Sequence, residues 1–191
     1  MIARKQGGFT IYPLEFVALG LLMNGPKHGY ALYQDFTQAF DLIWHAEQAK
    51  FYGVLAALEE KGYLRITTEL QEKRPARKVY HITEPGRSAF LGWVRQPVTS
   101  MRAVRVEFMA KLRFHSLLEL TGVEQLIDNQ MAALQAMLKE WEHTEQQERD
   151  PIRAWVEDFR RRQAIFMIEW LAVCKEDAKN LSTVETTHSS S

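Results

Sequence analysis

"KFYGVLAALEEKGYLRITTELQEKRPARKVYHIT", from Lys50 to Thr83, is the stretch of sequence that decides the fold. Its first part repeats apolar residues at helical spacing, and Gly62 follows where a helix favours a left-handed C-cap. The apolar period then changes from about 3.6 residues to about 2 in two runs, residues 63–68 and 78–83, with a polar segment between them. The stretch therefore predicts a helix that leads directly into a β-hairpin.

The segment between the two runs is basic, although the whole chain has 24 basic and 24 acidic residues and no net charge. Residues 1–100 hold 12 basic and 9 acidic residues, whereas residues 101–191 hold 12 and 15. Cations at a hairpin tip can contact the phosphates of a nucleic acid, or they can simply be solvated. The cations in question are Lys73, Arg74, Arg77 and Lys78.

Two helical segments precede this stretch. Apolar residues recur at helical spacing from Leu14 until residues 24–26, Asn-Gly-Pro, interrupt them, and again from Tyr30 to Phe40. Three helices followed by a hairpin are typical of the winged helix-turn-helix, whose third helix enters the major groove while the hairpin, or wing, reaches the backbone. We predict a fold that is mainly α with a small β-hairpin (α+β), and a DNA-binding domain over residues 14–95.

The third helix, expected from about Ala46 to Lys61, would carry the DNA-reading residues on its exposed N-terminal side. The amide of Gln48 can pair with an adenine edge, and the ammonium of Lys50 with guanine or a phosphate. Small residues on this side would let the helix lie close to the groove, whereas the charge of Glu47 would repel phosphate. The predicted reading residues are His45, Gln48, Ala49, Lys50 and Gly53.

Beyond a boundary at residues 96–100, the sequence predicts a helical dimerisation domain over residues 103–181. Its last two helices are long and amphipathic, with more apolar surface than one subunit can bury, so a partner subunit is expected. The aromatic members of this surface alternatively line a pocket for a small, flat aromatic effector, or are ordinary packing. The residues concerned are Leu134, Leu138, Trp141, Trp155, Phe159, Phe166 and Trp170.

Three segments carry a recurring pattern. "LGLLMNGPKHGYAL" (residues 19–32) contains Gly-Pro-x-His-Gly-Tyr-x-Leu. The opening stretch contains Tyr-x-x-Leu-x-x-Leu-Glu-x-x-Gly, and "RKVYHITEPGR" (residues 77–87) contains Arg-Lys-x-Tyr-x-x-Thr-x-x-Gly. In this order, over about residues 14–90, they resemble the PadR family of bacterial transcriptional regulators, and the helical second half is similar to that of its longer members. The chain departs from the family pattern in two places: residues 44–48 lack Ser or Thr, and the wing has Pro75-Ala76 in place of glycines.

The resemblance implies a homodimeric repressor that binds a palindromic operator in duplex DNA and is relieved by a small-molecule effector. Two other interpretations stay open. Winged helices also serve as protein-interaction adaptors that do not bind DNA. A sensor that has lost DNA binding is favoured only by Glu47 and by the missing Ser or Thr before the third helix.

Catalytic and metal-binding patterns are missing from the sequence. The six histidines lack ligand spacing, no glycine-rich phosphate loop is present, and the single cysteine, Cys174, lies on an apolar stripe. We expect no enzyme activity, no metal and no cofactor. No stretch approaches the roughly 20 apolar residues of a membrane span. We therefore expect a cytoplasmic protein without membrane contact, with a flexible arm at residues 1–13 and a disordered tail at residues 182–191.

Overall fold

The chain forms two compact units. The first comprises Met1–Val94 and Met109–Leu120, and the second comprises Arg95–Phe108 and Thr121–Ser191. The computed structural model describes the backbone of residues 4–6, 9–11, 13–71, 74–143 and 151–188, and the side chains of residues 13–69, 76–141 and 151–178.

Helices dominate both units. The elements in chain order are β1 (Arg4–Gln6), β2 (Phe9–Ile11), α1 (Pro13–Gly20), β3 (Lys27–His28), α2 (Gly29–Phe40), α3 (Gln48–Glu60), β4 (Leu64–Gln71), β5 (Arg74–Ile82), α4 (Glu84–Val94), α5 (Met101–Ala103), a π-helical segment (Val104–Phe108), α6 (Met109–Leu117), α7 (Val123–His143) and α8 (Pro151–His188). The predicted fold class, mainly α with a small β-hairpin, is confirmed.

Aromatic rings fill the core of the first unit. The ring centroids of Phe36 and Phe51 lie 5.1 Å apart and join α2 to α3. Phe114 of α6 lies 5.1 Å from Phe40 and 5.0 Å from Phe90, and all five rings are buried. Helix α6 therefore completes this core, although it falls within the residues 103–181 that the sequence analysis assigned to the second domain.

A glycine cap ends α3 and starts the wing. Gly62 has φ +73°, the left-handed conformation predicted from the sequence. The N–H of Tyr63 donates to the carbonyl of Leu58 at 2.9 Å, and the N–H of Gly62 donates to that of Glu59 at 2.9 Å. These two bonds form a Schellman motif, which satisfies carbonyls that the helix leaves without partners. One residue therefore separates the cap from the first residue of β4.

Thr83 closes the base of the hairpin beside this cap. Its backbone N–H donates to the carbonyl of Tyr63 at 3.1 Å, and its hydroxyl donates to the carbonyl of Gly62 at 2.8 Å. The same hydroxyl accepts a hydrogen bond from the N–H of Gly86 at 3.3 Å and so caps α4. Thr83 thus connects the end of α3, the base of the wing and the start of α4.

A buried ion pair holds the same end of α3 against α1. Lys61 Nζ lies 2.7 Å from Glu15 Oε1, and the Glu15 side chain is almost fully buried. A cation at the C-terminal end of a helix also interacts favourably with the helix dipole.

The wing belongs to a three-stranded antiparallel sheet with the order β3-β5-β4. The added strand, β3, places Lys27 opposite Tyr80 and His28 opposite Val79. Strand β3 was not predicted from the sequence, because two residues are too few to show an alternating pattern. Through β3 the start of α2 is tied to the wing.

The second unit is held by α7 packed against α8. Leu134 of α7, together with Ala164 and Leu171 of α8, is fully buried. The buried Gln130 side chain fixes the linker before α5: its Nε2 donates to the Val98 carbonyl at 3.1 Å, and its Oε1 accepts from the Val98 N–H at 2.8 Å. Both backbone groups of Val98 are thereby satisfied away from water.

Two terminal segments differ from expectation. β1 and β2 pair within the residues expected to form a flexible arm. Helix α8 runs through Ser182 to His188, within the expected disordered tail, because extending an existing helix is far easier than nucleating one. Among the described residues, no helix is long and apolar enough to cross a membrane.

We expect Gly62→Ala to lower the free energy of unfolding by about 1–2 kcal/mol, because L-residues are strained at positive φ. Gly53 is the matched control: it lies inside α3 with open space at the position of a Cβ. Gly53→Ala should raise the free energy of unfolding by about 0.5–1 kcal/mol. Urea denaturation followed by circular dichroism measures both changes, and shifts of the same sign would contradict the assigned role of the cap.

Candidate nucleic-acid interface

The predicted reading residues all lie on the surface at the start of α3. Gln48, Ala49 and Lys50 form its first turn and are exposed. Gly53 is exposed one turn further on, with nothing within 4 Å of the position of a Cβ. His45 precedes the helix and is exposed as well. The helix begins two residues later than the expected Ala46, so His45 lies in the extended segment before it.

The segment before α3 is held in place by a buried residue and a hydrogen bond. Ala46 is buried, and its carbonyl accepts a hydrogen bond from the Tyr33 hydroxyl at 3.2 Å. The Tyr33 ring in turn lies 5.7 Å from the ring of Phe51 on the buried side of α3. Helix α2 therefore sets the position at which α3 begins, which orients the exposed residues on either side of Ala46.

Glu47 is the N-cap residue of α3. It has extended backbone angles, φ −63° and ψ 147°, and its side chain makes no capping hydrogen bond. The missing Ser or Thr noted in the sequence thus corresponds to a helix start without a side-chain cap. The exposed carboxylate suits the positive end of the helix dipole but reduces the positive potential that a phosphate would meet.

Two of the four predicted wing cations have described side chains. Arg77 and Lys78 are exposed on β5. Arg74 lies in β5 with its side chain outside the described residues, and Lys73 lies outside them altogether. Glu69 stands opposite Arg77 in the β4–β5 register, and its Oε2 is 3.5 Å from Nε2 of His28. The carboxylate of Glu69 therefore partly offsets the positive charge of the wing near Arg77.

An open cleft of about 580 Å³ lies between the start of α2, helix α3 and strand β5. Gly29 allows α2 to begin this close to its neighbours, because a Cβ there would lie 2.7 Å from Cε1 of Tyr52. The cleft was not predicted from the sequence, although its tyrosines stand in the quoted motifs. Its lining residues are His28, Gly29, Tyr30, Ala31, Tyr52, Arg77, Lys78 and Tyr80.

The phenol of Tyr80 stays protonated in this setting. Burial raises the pKa of Tyr80 above its ordinary value. Repulsion by Tyr52, once that phenol ionises at high pH, and by the carboxylate of Glu59 adds to the effect. At neutral pH the cleft therefore carries the cations of Arg77 and Lys78 beside a neutral phenol.

The residues expected at a subunit interface fall into two groups. Leu134 is buried within the second unit, Leu138 and Trp141 are half-buried, and the guanidinium of Arg160 lies 4.6 Å from the Trp141 ring. Trp170 is also half-buried.

The second group lies along one side of α8 and is exposed. Trp155, Phe159 and Phe166 are 69%, 60% and 63% exposed. Further large apolar residues of α8 that were not singled out as interface residues are exposed too: Ile152, Val156, Ile165 and Val173.

Comparison with known proteins identifies the first unit. Residues 18–91 match the family model described as "Transcriptional regulator PadR-like family". This segment is therefore similar to the PadR-like transcriptional regulators. Among the described residues, no group of three or more His, Cys, Asp or Glu side chains could hold a metal ion.

Two curated relatives extend the match. The "Negative transcriptional regulator PadR" of Bacillus subtilis is 28% identical over 127 residues, covering 66% of this chain and 70% of the relative. A "Probable transcriptional regulator" of Mycobacterium tuberculosis is 34% identical over 92 residues, covering 48% of this chain and 49% of the relative. The chain thus spans about half the length of the second relative.

Solved structures of Bacillus subtilis PadR superpose only partially. The complex with operator DNA gives a TM-score of 0.44 at 22% identity, covering 85% of this chain and 97% of that one. The complex with p-coumaric acid gives 0.40 at 21% identity, covering 86% and 98%. The similarity to PadR-like regulators therefore rests on the sequence matches.

We expect Glu47→Ser to raise the free energy of unfolding by about 0.5–1 kcal/mol, because a serine at the N-cap can accept a hydrogen bond from the first turn of α3. Glu47→Gln is the control, since it removes the charge without supplying the short side chain that caps. Urea denaturation distinguishes the two. A gain in stability with Gln but not with Ser would mean that charge, rather than the missing cap, limits this helix start.

Proposed function

We propose that this PadR-like chain is a homodimeric transcriptional repressor that binds duplex DNA through α3 and the wing. One observation carries the proposal: the polar and small residues at the start of α3 are exposed together with the wing cations Arg77 and Lys78, in a domain of a regulator family. Positive charge beside an accessible helix end is the arrangement that a major groove and its flanking phosphates require.

Helix α3 would contact the bases, and the wing would contact the phosphates. The exposed Gln48 and Lys50 have the donors and acceptors that distinguish base edges, and Ala49 and Gly53 would allow a close approach. Arg77 and Lys78 would bind phosphates, which adds affinity but little sequence information. Arg74 and Lys73 would extend the same phosphate-binding surface toward the wing tip.

The exposed stripe of α8 supports a dimer. Ile152, Phe159, Phe166 and Val173 follow one another at intervals of seven residues, the repeat of a coiled-coil seam. Pairing of this stripe with the same stripe on a second copy would remove the exposed rings from water. A twofold axis would also match a palindromic operator with half-sites about one helical turn apart.

We further propose that a small molecule regulates DNA binding. The Bacillus subtilis relative is named a negative regulator, and its structure has been solved with p-coumaric acid. In this chain an aromatic effector would bind beside Trp155, Phe159, Phe166 and Trp170, and would act by favouring a spacing of the two reading helices that does not fit the operator.

Binding to duplex DNA should weaken steeply as salt rises. In fluorescence anisotropy with a short labelled duplex, Arg77→Gln and Lys78→Gln should each reduce the slope of log K against log salt by about 0.9 for each phosphate that the variant no longer neutralises. Arg65→Gln is the control, because Arg65 is exposed at the base of the same hairpin, opposite His81. A wild-type protein that binds no duplex at low salt would instead favour the adaptor interpretation.

Disruption of the α8 stripe should yield monomers. We expect Phe159→Glu, combined with Phe166→Glu, to shift the sedimentation coefficient from that of a dimer to that of a monomer, because four buried carboxylates would face each other across a twofold axis. Ala172→Glu is the control, since Ala172 is exposed on a different side of α8. A wild-type chain that sediments as a monomer at micromolar concentration would refute the dimer.

A further inference from the structure

The cleft beside α3 brings two of the wing cations together with tyrosines to which the proposed DNA contacts assign no role. Three phenols, Tyr30, Tyr52 and Tyr80, line it together with the cations Arg77 and Lys78. They come from three separate elements, α2, α3 and β5. Hydroxyl donors beside guanidinium and ammonium groups form an anion-binding set, since every one of them can donate to a phosphate oxygen.

The hydroxyl of Tyr30 is prepared to donate. Nε2 of Gln34, one turn further along α2, donates a hydrogen bond to the Tyr30 hydroxyl oxygen at 3.1 Å. This hydrogen bond occupies the oxygen as an acceptor and leaves the hydroxyl proton available for another partner. The Tyr30 side chain is 61% exposed, which is unusual for a ring of this size and places the hydroxyl within reach of a large ligand.

Tyr52 reaches the cleft because Gly29 has no side chain. The Tyr52 hydroxyl lies 3.3 Å from the position that a Cβ on Gly29 would take, and its Cε1 lies only 2.7 Å from it. Cε2 of Tyr80 lies 3.1 Å from the same position. The glycine of the His-Gly-Tyr motif therefore gives both rings the room that they occupy at the cleft.

We infer that this cleft is a phosphate-binding pocket that holds one backbone phosphate of each DNA half-site, with Tyr30 and Tyr52 as hydroxyl donors and Arg77 and Lys78 as cations. The inference rests on the proposed binding of duplex DNA and adds residues of α2 and α3 to the surface that meets the backbone. The volume of about 580 Å³ has room for a phosphate and its flanking sugars.

A phosphate held at this point would fix the register of the reading helix. The pocket includes Tyr52, which lies between Lys50 and Gly53 in the chain, so a phosphate bound there would set how deeply the start of α3 enters the groove. Contacts of this kind position a protein on the duplex without reading its sequence. Loss of the hydroxyls should therefore weaken binding to all duplexes alike.

The test uses the full-length protein and a labelled duplex of arbitrary sequence at low salt. Tyr30→Phe and Tyr52→Phe keep the rings and remove only the hydroxyls, so each should weaken binding by about tenfold per half-site, the usual effect of a hydrogen bond to a charged group. Tyr63→Phe is the matched control, because Tyr63 belongs to the same unit but does not line the cleft. Thermal unfolding of each variant checks that the fold is retained.

The outcomes separate this inference from the function on which it rests. Weaker binding by both cleft variants, with Tyr63→Phe equal to the wild type, supports the pocket. Wild-type affinity in Tyr30→Phe and Tyr52→Phe overturns the pocket, while salt-dependent binding by the wild type leaves the DNA-binding proposal intact. An equal loss in Tyr63→Phe also overturns the pocket, and a wild type that binds no DNA overturns both.

Discussion

The turn at Gly62 is the constraint on which the arrangement of α3 and the wing depends. A left-handed residue ends the helix within one position, and Tyr63 alone precedes β4, so there is no slack between the helix and the hairpin. Thr83 then ties the far end of the hairpin back to this turn through its backbone N–H and its hydroxyl. Any DNA that meets the start of α3 must therefore meet the wing in a fixed relation to it.

The same rigidity extends to the start of α2. Strand β3 adds His28 to the edge of β5, and Gly29 follows immediately, close to the rings of Tyr52 and Tyr80. Three elements that are distant in the chain therefore converge on one cleft. The segment around Gly29 and the wing strand each supply part of the same local structure.

The second unit contains a long helix, α8, whose apolar surface is only partly buried. A long amphipathic helix must cover its apolar side, and α8 does so on one side only, where Ala164 and Leu171 are buried. The rings on the stripe of Phe159 remain exposed. The buried and the exposed sides of α8 both contribute apolar residues at helical spacing. The spacing alone therefore could not distinguish residues that pack against α7 from residues that stay exposed. Leu134 of α7, expected at the interface, is instead buried within the second unit.

The sequence by itself determined the three helices and the hairpin of the first unit, the cap at Gly62 and the exposed start of α3, because each depends on local spacing or on the preferences of one residue. Only the tertiary structure decided that α6 packs with the first unit, that Lys27 and His28 form a third strand, and that Tyr30 and Tyr52 share a cleft with Arg77. These features depend on contacts between residues far apart in the chain, and such contacts leave no periodic signal in the sequence.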